Sequence, residues 1–371
     1  MTHDAPARRA RDFGIVIGTG RPGPHNAITD VPGVMVGHTT LISGDGPLRT
    51  GHGPVRTGVT VIRPRPGHLW QNPVFAGYHR LNGAGELTGT HWIAETGRLT
   101  TALGLTNTHS VGVVHDALIA AEVRDRDLSE AFFSLPVVGE TWDGVLNDVN
   151  GFHVTAAHVL RAYDEAAGGP VPEGNVGGGT GMICHDFKGG VGTASRVTGG
   201  HTVGVLVQAN HGRRERLTVQ GVPVGRLLGP DQVPVPRAPE ILGTPRQGEG
   251  SIIVVVATDA PLLPHQLTRL AQRAGLGVAR LGGVGEHLSG DLFIAFATGN
   301  ALQPTDFGPG VPLSQIVTML ADAHITPLFD AVVEATEEAI LNALVTAGTM
   351  TGRDDITVHA LDGHRLRALL P

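Results

Sequence analysis

The sequence predicts a single α/β domain in which helices cover buried β-sheets. Short runs of apolar, β-branched residues bounded by turn signals predict strands, and segments with apolar residues at a spacing of 3.6 predict helices. The two kinds of segment alternate along the 371 residues without a clean break. The 54 glycines and 25 prolines suit a sheet-rich fold with many tight turns. We therefore predict one domain and not two.

Each predicted element depends on a local pattern. The predicted strands are residues 59–63, 110–114, 201–208 and 251–257. Because these runs are apolar at consecutive positions, both faces of their sheets should be buried, and helices should cover them. The predicted helices are residues 151–167, 264–275, 313–323 and 327–347.

The segment 229–249 differs from the rest of the chain because it contains five prolines among charged residues and glycines. Proline opposes both helix and central strand, so extended surface chain is expected here. Such a connector tolerates a break in the backbone, although an intact loop fits the same pattern. It ends directly before Gly250 and Ser251.

Composition excludes several classes of function. Charged residues make up 16% of the chain and the net charge is −7, so no basic surface is available to attract nucleic acid. The single cysteine, Cys184, excludes an intramolecular disulfide and any multi-cysteine metal site. The polar start, residues 1–12, precedes an apolar run too short for a signal peptide, and no run reaches membrane-spanning length. A cytoplasmic protein without a membrane partner is expected.

Gly250-Ser251 is the most informative pair, because a small nucleophile stands immediately before the apolar run 252–257. If the bond between the two residues were cut, the new chain would begin with serine. Its hydroxyl could then attack a carbonyl while its own α-amine, with an ordinary pKa of about 7.7–8.0, accepts the proton. A glycine-serine pair also enters many ordinary buried strands, so the pattern alone leaves both interpretations open.

Two further motifs carry groups suited to the same chemistry. Asn210 ends the predicted strand 205–210, where a fixed side-chain amide could donate to a developing oxyanion. Ser289 and Asp291 stand two apart before the apolar run 292–297, so on an extended chain both side chains would share one face. Each motif is also common in turns.

Other motifs predict no cofactor. The glycines of 174–181 and 189–192 lack the spacing of a phosphate-binding loop and favour close backbone packing near an active site. Gly18, Gly20 and Gly23 match G-x-G-x-x-G, but the flanking prolines oppose the helix that this motif requires. Cys184 and His185 are sequence neighbours whose side chains would diverge on a strand, and no metal-binding motif accompanies them.

Together these residues resemble the L-aminopeptidase/D-esterase (DmpA-type) and β-peptidyl aminopeptidase family of self-processing N-terminal-serine hydrolases. The resemblance extends through most of the chain. Many matches in the same order are far more specific than any single short motif. The matching stretches are residues 82–89, 105–108, 136–141, 177–196, 207–212, 250–261, 289–296 and 349–354.

The resemblance implies a four-layer αββα sandwich with one catalytic domain, residues 1–371. It implies self-cleavage between Gly250 and Ser251 into an α-chain, residues 1–250, and a β-chain, residues 251–371, which stay associated. Tetramers of such αβ units are common in the family, so a homo-oligomer is expected.

The resemblance also implies a role for each matching residue. Ser251 would be the nucleophile and, through its freed amine, the base, with Asn210 as oxyanion donor. Ser289 and Asp291 would position the new N-terminus. Glu140 would receive the free amino group of the substrate, a role that its charge suits. Trp142 stands where some relatives have a tyrosine that assists the oxyanion, but an indole N–H donates without relaying protons.

The implied activity is that of an aminopeptidase and amidase-esterase. It would release N-terminal residues from small peptides, amides or esters through an acyl-enzyme on Ser251, without a cofactor or metal. L-, D- and β-aminoacyl substrates all remain open. Two alternatives are acyl transfer, as in the similar ornithine acetyltransferases, which use threonine as nucleophile, and an uncleaved, non-catalytic ligand-binding homologue.

Overall fold

The computed structural model describes residues 8–127, 132–235, 250–304 and 312–371. Most of the strands form two sheets. The strands are β1 (Met35–Ser43), β2 (Val55–Arg63), β3 (Val74–Gly83), β4 (Arg98–Leu99), β5 (Leu103–Asn107), β6 (Val137–Thr141), β7 (Ile183–Cys184), β8 (Phe187–Lys188), β9 (Gly190–Thr198), β10 (His201–Asn210), β11 (Ser251–Thr258), β12 (Gly290–Ala297), β13 (Met350–Thr351) and β14 (Thr357–Val358). The helices are α1 (Thr90–Thr96), α2 (Val111–Asp125), α3 (Ala156–Asp164), α4 (Val224–Leu227), α5 (Pro264–Arg280), α6 (Thr326–Val345) and α7 (Gly363–Leu369).

The larger sheet has six strands in the order β4-β3-β12-β11-β10-β9, and the smaller has four in the order β1-β2-β5-β6. Strands β11 and β12 are parallel, as are β5 and β6, while the other neighbours are antiparallel. Two short hairpins, β7-β8 and β13-β14, lie outside these sheets. Strand β11 is therefore central in the larger sheet.

Three apolar clusters divide the molecule into four layers. The first fills the space between the two sheets, the second lies between the larger sheet and α5 and α6, and the third lies between the smaller sheet and α2 and α3. Strand β11 serves two of them, because Ile252 and Val254 point toward the helices while Ile253 and Val255 point toward the other sheet. This double burial explains the uninterrupted apolar run and confirms the αββα sandwich.

Most predicted elements are confirmed. Strands 59–63, 201–208 and 251–257 and helix 264–275 form within slightly longer elements, and helix 327–347 forms as α6, which ends at Val345. The helix predicted over residues 151–167 is too long, because α3 covers only Ala156–Asp164.

Two predicted elements are wrong. Residues 110–114 lie at the start of α2 and not in a strand, because Val114, Ala117, Leu118 and Ala121 form one buried helical face whose later members extend beyond that short window. Residues 312–321 are not helical, although helix was predicted over 313–323. Leu313 and Ile316 lie in solvent there, so no packed apolar face supports a helix.

The glycine-rich motifs serve packing. No helix follows Gly18, Gly20 and Gly23 directly, and the N–H groups of Thr19 and Gly20 donate to the carboxylate of Glu334 at 2.9 Å. The Glu334 carboxylate thus supplies the anion at these N–H groups.

The connector predicted over 229–249 lies outside the described residues from position 236 to 249. Within the described ranges, no helix has both the length and the hydropathy needed to cross a membrane.

Candidate active site

Ser251 is buried and is the first residue of β11, an inner strand of the larger sheet. In the antiparallel register it lies opposite Asn210, the last residue of β10. Its Oγ accepts a hydrogen bond of 2.9 Å from the N–H of Gly290, the first residue of β12. The ends of three strands therefore meet at one hydroxyl group, whose lone pair is oriented by a backbone donor.

Ser289 and Asp291 lie beside the start of β11. The parallel register pairs Asp291 with Ile252, and the Ser289 hydroxyl donates to Asp291 Oδ1 at 2.6 Å. Burial raises the pKa of Asp291 to about 6, and the nearby charge of Glu286 adds to this increase. The Ser289 hydroxyl and the backbone N–H of Ile252 oppose it by stabilising the carboxylate. Asp291 is thus a buried acid that is hydrogen-bonded to Ser289 and lies opposite the residue that follows Ser251.

Asn210 is held at both ends of its side-chain amide. Its Oδ1 accepts from the N–H of Ile183 at 2.8 Å, and its Nδ2 donates to the carbonyl of Trp142 at 3.0 Å. A Cβ on Gly250 would collide with the Asn210 carbonyl and lie 3.4 Å from Asn210 Nδ2. The amide donor is therefore fixed beside the Gly250–Ser251 peptide bond, and glycine is required for the approach. The contact from Trp142 is made by its backbone carbonyl.

Glu140 is a buried carboxylate on β6, in the smaller sheet. Its Oε1 accepts from the N–H of Glu86 at 3.0 Å, and its Oε2 accepts from the Thr108 hydroxyl. Burial raises the pKa of Glu140, and these two hydrogen bonds partly oppose the increase. Each oxygen keeps a second lone pair for another donor, such as an ammonium group.

Gly85 connects Glu140 to the serine. A Cβ placed on Gly85 would lie 3.0 Å from Gly290 Cα and 3.1 Å from Glu140 Oε1. Both distances are shorter than ordinary van der Waals contacts, so a side chain at this position would push its neighbours apart. The carboxylate is therefore separated by one glycine from the residue that donates to Ser251 Oγ.

The sequence prediction missed the residues that fix this geometry, namely Gly85, Ile183, Lys188 and Gly290. Lys188 is fully buried, and its ammonium group donates to the carbonyls of Met182 and Gly189 at 2.9 Å each. Burial lowers its pKa to about 7. Lys188 thereby stabilises the β7-β8 hairpin, in which the N–H of Ile183 donates to Asn210. The signal was available, because Lys188 is the only lysine in the sequence and adjoins the glycine cluster.

The structure thus brings together the predicted residues Ser251, Asn210, Ser289 and Asp291, with Glu140 one glycine away. A hydroxyl, an amide donor and two carboxylates suit acyl transfer through a covalent serine intermediate. Among the described residues, one group of three potential metal ligands forms, Cys184, His185 and His211, and its last member directly follows Asn210.

Comparison with known proteins gives one consistent result. Residues 26–358 match peptidase family S58. The chain is 50% identical over 374 residues to the β-peptidyl aminopeptidase BapA of Sphingosinicella microcystinivorans, covering 99% of this chain and 92% of that protein. A β-aminopeptidase from a Burkholderia species shares 53% identity, with a TM-score of 0.90 and 98% of each chain covered. The L-aminopeptidase D-Ala-esterase/amidase of Ochrobactrum anthropi, a serine aminopeptidase with a variant of the Ntn-hydrolase fold, shares 46%, with a TM-score of 0.86 and the same coverage.

Proposed function

Because this chain belongs to peptidase family S58, we propose that it is a β-peptidyl aminopeptidase that cuts its own backbone at Gly250–Ser251 to generate the nucleophile. The observation that carries the proposal is the position of Ser251. Its hydroxyl accepts from Gly290 beside the fixed amide of Asn210, at the only bond whose cleavage would free its nitrogen.

Self-cleavage would begin with attack of Ser251 Oγ on the Gly250 carbonyl carbon. Asn210 Nδ2 would stabilise the resulting oxyanion, a contribution worth about 3–4 kcal/mol. Collapse breaks the Gly250–Ser251 C–N bond, the nitrogen takes up a proton, and an ester remains on Oγ. Water then hydrolyses that ester and releases chains 1–250 and 251–371.

In the mature enzyme the freed α-amine of Ser251 would act as base. It would take the hydroxyl proton as Oγ attacks the substrate carbonyl, and then return it to the leaving amine. The same amine would activate water to hydrolyse the acyl-enzyme. Ser289 and Asp291 would hold this amine in position, and Glu140 would bind the ammonium group of the substrate.

The preference for β-aminoacyl substrates is supported by the names of two of the relatives above, both of which have at least 50% identity. The relative named for esterase activity has lower identity, and we propose hydrolysis of small aminoacyl esters as a secondary activity. A tetramer of αβ units, as the family resemblance implies, completes the proposal.

The decisive experiment is Ser251→Ala. We expect a single uncut chain of 38.6 kDa on a denaturing gel and no hydrolysis of aminoacyl p-nitroanilides. The matched control, Ser43→Ala at an exposed serine, should split like the wild type into two chains, the smaller beginning Ser-Ile-Ile-Val. A Ser251→Ala protein that still splits would refute the scheme.

Substrate class needs a separate panel. β-Aminoacyl, L-aminoacyl and D-aminoacyl p-nitroanilides with the same side chain should be compared by kcat/KM. The highest value is expected for the β-aminoacyl compound. Amine-transfer products in place of free acid would instead favour the acyltransferase alternative.

A further inference from the structure

The fold gathers three side chains that the sequence separates. Cys184 ends β7, His185 follows it in the turn, and His211 comes one residue after β10. A donor atom from each lies within 4.8 Å of the others, and Cys184 Sγ is 3.8 Å from His211 Nδ1. All three side chains are buried. They form a compact sulfur and nitrogen cluster, named here the Cys-His cluster.

Each histidine in this cluster can present one ring nitrogen to a metal ion. His185 Nδ1 donates to the Arg213 carbonyl at 3.0 Å, so the proton resides there and Nε2 presents a lone pair. His185 Nε2 has no hydrogen-bond partner in the part of the chain that the structure describes, and His211 offers Nδ1, which faces the Cys184 sulfur. Burying an unpartnered polar atom is costly, and a backbone carbonyl on the second nitrogen is the usual support of a metal-binding histidine.

A hydrogen bond and a close backbone approach hold the two segments of the Cys-His cluster together. The N–H of His185 donates to the carbonyl of His211 at 2.7 Å, which ties the two segments together. A Cβ on Gly212, whose φ is +85°, would overlap the His185 ring. Glycine at position 212 is thus required for the ring to occupy this place.

We propose that Cys184, His185 and His211 form a buried, three-coordinate binding site for copper(I). Thiolate and imidazole are soft donors that suit copper(I) and zinc, whereas calcium and magnesium require oxygen ligands. Binding converts the Cys184 thiol to a thiolate: the S–H bond breaks, an S–Cu bond forms, and one proton leaves to solvent. The copper remains in the +1 state, so no electron is exchanged.

Charge selects copper(I) over zinc. A thiolate neutralises a monovalent cation, whereas a divalent cation would leave a net positive charge in a buried site. Arg214 is already close, since its Nε donates to the His185 carbonyl at 3.1 Å. Zinc would also require a fourth ligand. Trigonal metal bonds of about 2.0–2.3 Å separate donor atoms by roughly 3.5–4 Å. The separation of 3.8 Å between Cys184 Sγ and His211 Nδ1 satisfies this requirement, so Nδ1 is the ligand atom of His211.

The test is anaerobic titration of the purified protein with copper(I) held as its coloured bathocuproine disulfonate complex. The wild type should bleach about one equivalent per 371-residue chain. Cys184→Ser should bleach none, while His265→Ala, which removes an exposed histidine, should match the wild type. Equal uptake by Cys184→Ser and wild type, or displacement of copper by equimolar zinc, would overturn the proposal.

X-ray absorption at the copper edge tests the same site without a variant and does not depend on how Cys184→Ser folds. The loaded wild type should show one sulfur and two nitrogen neighbours. A first shell without sulfur would place the copper elsewhere and reject the site.

Discussion

At the scale of single residues, burial controls the charge of the carboxyl groups beside Ser251. Asp291 has a pKa of about 6 in the uncut chain, above its usual value of 3.8. As pH rises, Asp291 therefore loses its proton in the unfolded chain at a lower pH than in the folded chain. The folded chain is stabilised by this group below pH 4, and that stability is lost as pH rises toward 6. Cleavage would supply an ammonium group, which favours the charged form.

This direction of the pH dependence of stability gives a measurable prediction. In the uncut Ser251→Ala background, the free energy of unfolding should decline between pH 4 and pH 7 by up to about 3 kcal/mol more than in Ser251→Ala/Asp291→Asn. Urea denaturation at several pH values measures both proteins. Parallel pH profiles would show that Asp291 is charged in the folded precursor.

Glu140 provides a second prediction at this scale. Glu140→Gln keeps the shape but removes the charge that would bind the substrate ammonium, a bond worth about 1.5–3 kcal/mol. We expect kcat/KM to fall about 10–100-fold with self-cleavage unaffected, since no substrate amine takes part in cleavage. Steady-state kinetics and a denaturing gel measure the two effects. Glu165→Gln, at an exposed carboxylate that follows α3, is the matched control and should leave both unchanged.

At the scale of elements, the β7-β8 hairpin holds Asn210, the proposed oxyanion donor, from outside the main sheets. Lys188→Met would leave the carbonyls of Met182 and Gly189 without their buried donor. In the Ser251→Ala background we expect a loss of about 2–4 kcal/mol in the free energy of unfolding. With Ser251 present, self-cleavage should slow because Ile183 no longer holds Asn210. Urea denaturation and a time course on gels measure these effects, and Arg49→Met, at an exposed cation, should change neither.

At the scale of the whole molecule, the two proposed chains are interleaved in one sheet. Strands β11 and β12, from residues 251–371, lie between β3 and β10, from residues 1–250. The chains share the same apolar clusters, and buried Glu338 pairs with Arg11 and Arg196 across the division. Cleavage would therefore leave the fold intact.

This topology predicts that the cut protein elutes as one species in native gel filtration and separates only under denaturing conditions. The elution volume should match that of uncut Ser251→Ala, because no strand must leave the sheet. Separation of the chains in native buffer would contradict the shared sheet.

The sequence by itself determined the elements whose signal is local. The apolar runs of β10 and β11, the helical periods of α5 and α6, and Ser251 before a buried strand are all readable from neighbouring residues. Burial on both faces leaves little choice of conformation for such runs.

Only the tertiary structure decided which distant residues meet. It placed Gly85 between Glu140 and Gly290, and it joined His211 to Cys184 and His185. It also turned residues 110–114 into helix and left 312–321 without one, because helices of this length depend on the surface against which they pack. Sequence spacing cannot encode these contacts, since they arise where two separate sheets and a short hairpin pack against one another.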